Sequence, residues 1–188
     1  MTRTHLGFAL AVIVLLGSLH NGTRSAMAYN NSQVPCPWTN TTPLNIYFEW
    51  GPNLIGNPSY TWRLRFSDSV GDWNSQGTKP LVQWSSGAAN RLDSYTAADG
   101  YYGYASIACT GPFWDRKMSS FDAYANSYRG HEYNWDDFFM RSITGHELGH
   151  GLGLGHSTEY SIMNTSRDRY TLYTPQQDDR NGLNAIYP

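Results

Sequence analysis

The stretch HELGHGLGLGH, residues 146–156, decides the fold and the chemistry expected of this chain. In a helix, residues four apart lie one turn apart on the same face, so His146 and His150 can reach one metal ion. The glycines that follow can leave the helix through backbone angles that other residues avoid, which lets His156 turn back to the same ion. Three neutral imidazoles suit Zn²⁺ and leave a fourth position for water. The pattern therefore predicts one catalytic zinc ion.

Glu147 lies next to the first histidine in sequence but points about 100° away around a helix. It would therefore sit beside the water on the metal and would not be a ligand itself. A carboxylate in that position can take a proton from the water and return it to a leaving group. We predict metal-assisted hydrolysis with Glu147 as the general base.

Residues 1–28 have the pattern of a secretory signal peptide. Leu6 to Leu19 is almost wholly apolar, and Ala26-Met27-Ala28 is a small-residue cleavage pattern. A membrane anchor is the alternative, but the apolar run is short of the roughly 20 residues that span a bilayer. We expect a secreted, extracellular protein that has no membrane segment after cleavage.

The remaining composition suits one domain of about 160 residues. The formal net charge of -2 and the pI near 6.3 provide neither a basic surface for nucleic acid nor a polybasic membrane patch. We expect a monomer whose partner is its substrate.

Cys36 and Cys109 are the two cysteines of the chain. In an oxidising compartment they most simply form one disulfide, worth on the order of 4 kcal/mol in the chain-entropy description. The alternative is that Cys36 blocks the zinc as a thiolate, which would leave Cys109 unpaired. The sequence alone leaves both the disulfide and the zinc-bound thiolate open.

Residue patterns divide the rest of the chain into an irregular segment, 29–43, followed by strands and helices. Alternating apolar residues indicate strands and a 3.6-residue period indicates helices. The last helix is expected to start with Thr174 as cap, Pro175 in the first turn and Gln177 closing a capping box. The predicted strands are Leu44–Trp50, Leu81–Trp84, Arg91–Thr96, Tyr101–Cys109 and the weakly alternating Phe121–Tyr128; the predicted helices are Ser59–Asn74, Asp136–Leu152 and a last one ending near Ile186.

The motif at 146–156 matches the long zinc signature of the metzincin proteases. Ser161-Ile162-Met163-Asn164 resembles the methionine turn of that group, which would place Met163 as an apolar floor beneath the histidines. Ser157, directly after the third histidine, resembles the matrixin branch. The resemblance implies a secreted zinc endopeptidase that cuts proteins or peptides.

The same resemblance implies an α/β fold of the α+β zincin type for residues 44–188. A twisted, mostly parallel sheet with one antiparallel edge strand would pack on helices, with Tyr101–Ala108 as the edge that binds an extended substrate. The implied substrate contacts are Tyr104, Ala105 and Asn164, and the implied wall of the pocket beside the zinc is 164–173. An apolar side chain just after the cleaved bond is the family expectation. Asp178 and Asp179 would tie the closing helix to the methionine turn.

Three departures from matrixins qualify the resemblance. The chain shows no cysteine-switch pro-domain and no haemopexin-like domain, so we expect selectivity to reside in the cleft. Outside the signal and the motif, His131 is the one histidine, so a second, histidine-rich zinc site is not expected. His131-Glu132 and Asp136-Asp137 could contribute to a calcium site, but we favour a solvated loop and a helix start as their explanation.

Two alternatives to an active protease follow from these residues. One is a secreted binding module in which zinc only stabilises the fold, which would require a fourth protein ligand or a disabled base. The other is a latent homologue that is blocked by Cys36.

Overall fold

A computed structural model describes residues 36–55 and 60–188. The predicted signal peptide, 1–28, and the first part of the irregular segment, 29–35, lie outside the described residues. No helix within the described ranges is both long and apolar enough to cross a bilayer.

Five strands form one sheet in the order β2-β1-β3-β5-β4. The three pairings among β2, β1, β3 and β5 are parallel, while β4 runs antiparallel to β5 at the edge. This is the predicted mostly parallel sheet with one antiparallel edge strand. The strands are β1 Leu44–Trp50, β2 Pro80–Trp84, β3 Asn90–Tyr95, β4 Gly103–Thr110 and β5 Lys117–Asn126.

Five helices lie in the described part of the chain, and two of them build the core with the sheet. Helices α2 and α4 pack on each other and on the strands. Trp62, Phe66 and Trp73 of α2 are fully buried, as their helical spacing predicts. The helices are α1 Pro52–Ile55, α2 Tyr60–Asn74, α3 Ser127–Glu132, α4 Asp137–Gly151 and α5 Gln177–Ile186.

Cys36 and Cys109 form a disulfide that joins the N-terminal segment to the edge strand β4. The expectation of one disulfide is therefore confirmed, and the alternative of Cys36 as a thiolate over the zinc is wrong in this structure. The segment is fixed further by Trp38, whose indole Nε1 donates to Gly151 O over 2.8 Å. The irregular segment thus packs against the end of α4.

The residue predicted to cap the last helix, Thr174, is wrong. The N-cap is Gln176, and the capping box forms with Asp179, whose carboxylate accepts the backbone N–H of Gln176 over 2.7 Å. Thr174 and Pro175 precede the helix, and the helix begins at Gln177. The usual preference for Thr as N-cap and Pro in the first turn does not decide this helix start, because the buried Asp179 carboxylate binds several backbone N–H groups there.

Candidate metal centre and cleft

Helix α4 places the first two motif histidines and Glu147 within the core. Asp136 caps the helix by accepting the backbone N–H of Phe139 over 2.8 Å. The chain leaves the helix at Gly153, whose φ of +100° is one that L side chains rarely adopt. That turn directs His156 back towards α4, as the glycine spacing predicts.

The outer ring nitrogens of two histidines are fixed by backbone carbonyls. His146 Nδ1 lies 2.8 Å from Ile162 O, and His150 Nδ1 lies 2.8 Å from Leu154 O. Because a carbonyl oxygen can only accept, both Nδ1 atoms must carry the proton. The Nε2 atoms are therefore left as unprotonated electron-pair donors, which is the tautomer that a metal ligand requires.

The three histidines fit a metal ion in position and in charge. One ligand atom from each of His146, His150 and His156 lies within 4.8 Å of the others, and within the described residues this is the cluster able to hold a metal. Burial lowers the pKa of His150 to about 4 and also lowers the pKa values of His146 and His156. Neutral imidazoles at physiological pH are the form that binds Zn²⁺.

Met163 lies directly beneath the motif helix and is fully buried. A Cβ built on Gly149 would come within 2.4 Å of Met163 Sδ, so the absence of a side chain at Gly149 is what allows this approach. We call Ser161–Met163 the floor of the site.

Asp179 holds the floor in place from helix α5. Its buried carboxylate accepts hydrogen bonds from Ser161 Oγ, from Ile162 N over 2.9 Å and from Met163 N over 3.3 Å. Its neighbour Asp178 accepts from the Ser157 hydroxyl over 2.7 Å. Both aspartates thus connect the closing helix to the segment after the third histidine.

Glu147 lies beside the histidines and below the start of the edge strand. A Cβ on Gly103 would come within 2.9 Å of Glu147 Oε1, so the strand and the carboxylate are in close contact. Burial raises the pKa of Glu147 to about 8, although the positive charges of Arg167 and Arg169 oppose this shift. The charge of a metal ion beside Glu147 would favour its ionised form, which is the form that accepts a proton.

A cleft of about 550 Å³ opens at this point. Tyr104 and Ala105, both predicted substrate contacts, line it. Asn164 is not among the lining residues: its side chain donates to Glu159 O over 2.9 Å and accepts from Ser166 N over 2.9 Å, so it stabilises the turn after the floor. The residues that line the cleft are Gly100–Ala105, Ile107, Ile143, His146, Glu147, His150, His156, Thr165, Arg167 and Arg169.

The segment Asn164–Tyr173, which we call the wall, contributes two arginines that sequence reasoning missed. Arg167 is 8% exposed, and the Arg169 guanidinium lies 4.3 Å from the centre of the Tyr102 ring. Two arginines in a polar segment resemble any solvated loop, so no local signal distinguished them.

The acidic residues considered for calcium have other partners. Asp136 caps α4, Asp137 Oδ2 lies 3.3 Å from Arg65 Nη1, and Glu132 pairs with Arg129. These contacts explain the acidic residues without an ion.

A five-stranded mixed sheet with a buried helix that carries two of three clustered histidines defines a metalloprotease catalytic domain of the metzincin type. A sequence profile of the matrixin family matches residues 62–188, and the chain belongs to this family. A comparison with curated proteins returned no significant match. Family membership makes the chain a zinc metalloendopeptidase in general terms, acting on proteins or peptides.

Proposed function

We propose that this chain is a secreted endopeptidase in which the three motif histidines hold one zinc ion and Glu147 is the general base. The observation that carries the proposal is the position of Glu147, which lies beside the histidine cluster and is the one carboxylate among the residues lining the cleft. Secretion is supported by the apolar run and the small-residue cleavage pattern within residues 1–28. We also propose that the enzyme acts as a monomer.

The substrate would bind as an extended strand along β4. This strand pairs with β5 on one side only and is the last strand of the sheet, so its outer backbone groups can pair with a peptide. Gly103 brings the start of β4 within contact of Glu147, which would place a paired peptide beside that carboxylate. Tyr104 and Ala105 follow on the same strand.

Bound zinc would supply Lewis-acid activation of a water and of the scissile carbonyl. Glu147 would take the proton of the attacking water and return it to the leaving amine. His146 and His150 are held in their ligand tautomers by Ile162 O and Leu154 O, so the protein fixes ring orientation before the metal binds.

The test is hydrolysis of a quenched fluorescent peptide library by the secreted chain, with and without o-phenanthroline. Glu147→Ala should retain one zinc per chain and lose about 10²- to 10⁴-fold in rate, since it removes the general base. Glu159→Ala is the matched control, because Glu159 is an exposed glutamate that does not line the cleft.

Zinc content and cleavage together separate the proposal from its alternative. Loss of cleavage on chelation and in Glu147→Ala alone supports the protease. A wild-type chain that holds zinc yet cuts no peptide would favour the zinc-stabilised binding module. Reductant should not activate the enzyme, since Cys36 is already bonded to Cys109.

A further inference from the structure

Two guanidinium groups line the cleft, both from the wall. Arg167 lies behind the cleft next to Ser142, and Arg169 lies over the Tyr102 ring. Ile143 of α4 lines the same cleft as the two arginines and the histidines. A pocket lined by Ile143, Tyr102 and the wall therefore carries positive charge, whereas the family resemblance implied a pocket for an apolar side chain.

Arg167 is anchored by neutral acceptors. Its Nε donates to Ser142 Oγ over 2.8 Å, its Nη2 to Ser142 O over 2.6 Å, and its Nη1 to Asn164 O over 2.9 Å. The further approach of Nη1 to His146 Nδ1, at 3.2 Å, cannot be a donation because that nitrogen already carries the proton given to Ile162 O. The Arg167 charge is fixed but is not neutralised.

Arg169 is less completely bonded than Arg167. Its Nη2 donates to Thr165 O over 3.2 Å, and its buried Nε has no hydrogen-bond partner. Stacking on Tyr102 orients the plane of the guanidinium group without using its N–H donors. Donors therefore remain available at the side of the cleft.

Neither arginine forms an ion pair within the part of the chain that the structure describes. Glu147 is the one carboxylate among the residues that line the cleft, and it is not within salt-bridge distance of either arginine. Two cations and one carboxylate give the cleft an excess of positive charge.

We propose that this pocket selects an acidic side chain, Asp or Glu, at the substrate residue just after the cleaved bond. The inference rests on the proposed function and replaces the apolar preference that the family resemblance implied. The substrate carboxylate would accept hydrogen bonds from Arg169, and Arg167 would add a fixed charge from behind. A planar guanidinium is well suited to bind a carboxylate, since charge-assisted hydrogen bonds are stronger than neutral ones.

The experiment compares four peptides that differ only in the residue after the cleaved bond: Glu, Gln, Leu or Lys. We expect kcat/KM for the Glu peptide to exceed that for the Gln and Leu peptides by about tenfold or more, because only a carboxylate pairs with the charge. The Lys peptide should be the poorest substrate, and added salt should reduce the Glu advantage.

Variants then assign the preference to the wall. Arg169→Gln should reduce the ratio of kcat/KM for Glu over Leu at least about fivefold, since it removes the direct donor. Arg169→Glu should favour the Lys peptide instead. Arg116→Gln is the matched control, because Arg116 is exposed on the β4–β5 loop outside the cleft, and it should keep the wild-type ratio. Zinc content, measured for each variant, shows whether the metal centre is intact.

The outcomes separate this inference from the proposed function. Efficient cleavage with Leu preferred over Glu would overturn the acidic pocket and leave the protease standing. If zinc-loaded wild type cleaves none of the four peptides, their binding is measured by fluorescence anisotropy. Tighter binding of the Glu peptide, lost in Arg169→Gln, would then support the pocket while the protease fails; equal binding of all four would overturn the pocket as well.

Discussion

The floor, Ser161–Met163, and the wall, Asn164–Tyr173, are adjacent in sequence and border the same site, yet they are built differently. All three floor residues are fully buried, and Asp179 binds a polar group on each of them. Most wall residues are exposed or half-buried. Ser142 of helix α4 accepts from Arg167 and donates to Leu172 O, and the Tyr173 ring stacks on Phe138. The floor is thus fixed by one buried carboxylate, and the wall by separate side-chain contacts with helix α4.

This difference suggests that the floor contributes mainly to stability and the wall mainly to substrate selection. The buried floor supports the motif helix and orients His146 through Ile162 O. Substitutions that disturb the floor should therefore mainly lower the free energy of unfolding. The wall carries charges that line the cleft, so substitution of the half-buried Arg169 should change which peptide is cut and cost less stability than a substitution in the floor. Pairs of like substitutions in the two regions can break or sharpen this contrast.

The largest effect is expected from Asp179→Ala. Removing this buried carboxylate leaves the backbone N–H groups of Ile162 and Gln176 and the hydroxyl of Ser161 without their acceptor, which should lower the free energy of unfolding by about 3–5 kcal/mol. Asp168→Ala, the wall counterpart, removes contacts to Tyr170 N and Thr171 Oγ1 at the surface and should cost less than about 1 kcal/mol.

Urea unfolding of both variants at equal zinc occupancy measures the two costs. Similar losses in the two variants would contradict the contrast between floor and wall. A loss confined to Asp179→Ala would assign the rigidity of the site to the floor.

A smaller effect is expected where the floor meets the motif helix. Gly149→Ala places a methyl group 2.4 Å from Met163 Sδ and 3.0 Å from Trp73 Cζ2, and this overpacking should cost about 2 kcal/mol. Gly71→Ala in α2 is the matched control, because nothing lies within 4 Å of the added carbon. That variant should gain about 0.5–1 kcal/mol from helix propensity.

Thermal unfolding of the two glycine variants provides the comparison. If Gly149→Ala stabilises the protein as Gly71→Ala does, Met163 is not firmly packed beneath the helix. The methionine would then be an ordinary core residue that contributes little to the shape of the site.

Local patterns predicted the motif side of the molecule well. The structure brings His146, His150 and His156 together, and Met163 packs against Gly149 of the same motif. The edge strand was placed correctly by its order in the chain, although it begins at Gly103 and not at Tyr101. These features depend on spacing within a short stretch, and spacing can be read directly from sequence.

Features that depend on distant partners were missed or misplaced. Helix α3, Ser127–Glu132, occupies the last residues that had been assigned to a strand, because Asn126 caps it by accepting from Tyr128 N over 3.1 Å. The last helix is capped through Asp179, whose carboxylate also bonds the floor. The positions of the wall arginines in the cleft depend on Tyr102 and Ser142, which are distant in sequence. No periodicity in the sequence predicts these contacts.

The smallest effect tests how far the tightly bonded region extends beyond the floor. The buried hydroxyl of Tyr187 donates to Leu152 O over 2.9 Å at the exit of the motif helix and accepts from Trp38 N over 3.2 Å. Tyr187→Phe keeps the ring but leaves both groups without this partner, so the free energy of unfolding should fall by about 1 kcal/mol. Tyr170→Phe in the wall removes a hydroxyl from a ring that is 47% exposed, and its change should stay within about 0.5 kcal/mol of zero. Urea unfolding of the two variants in parallel measures both changes in free energy. Equal changes would contradict a rigid region at the end of the motif helix. A loss in Tyr187→Phe alone would extend the rigid region from the floor to the N-terminal segment.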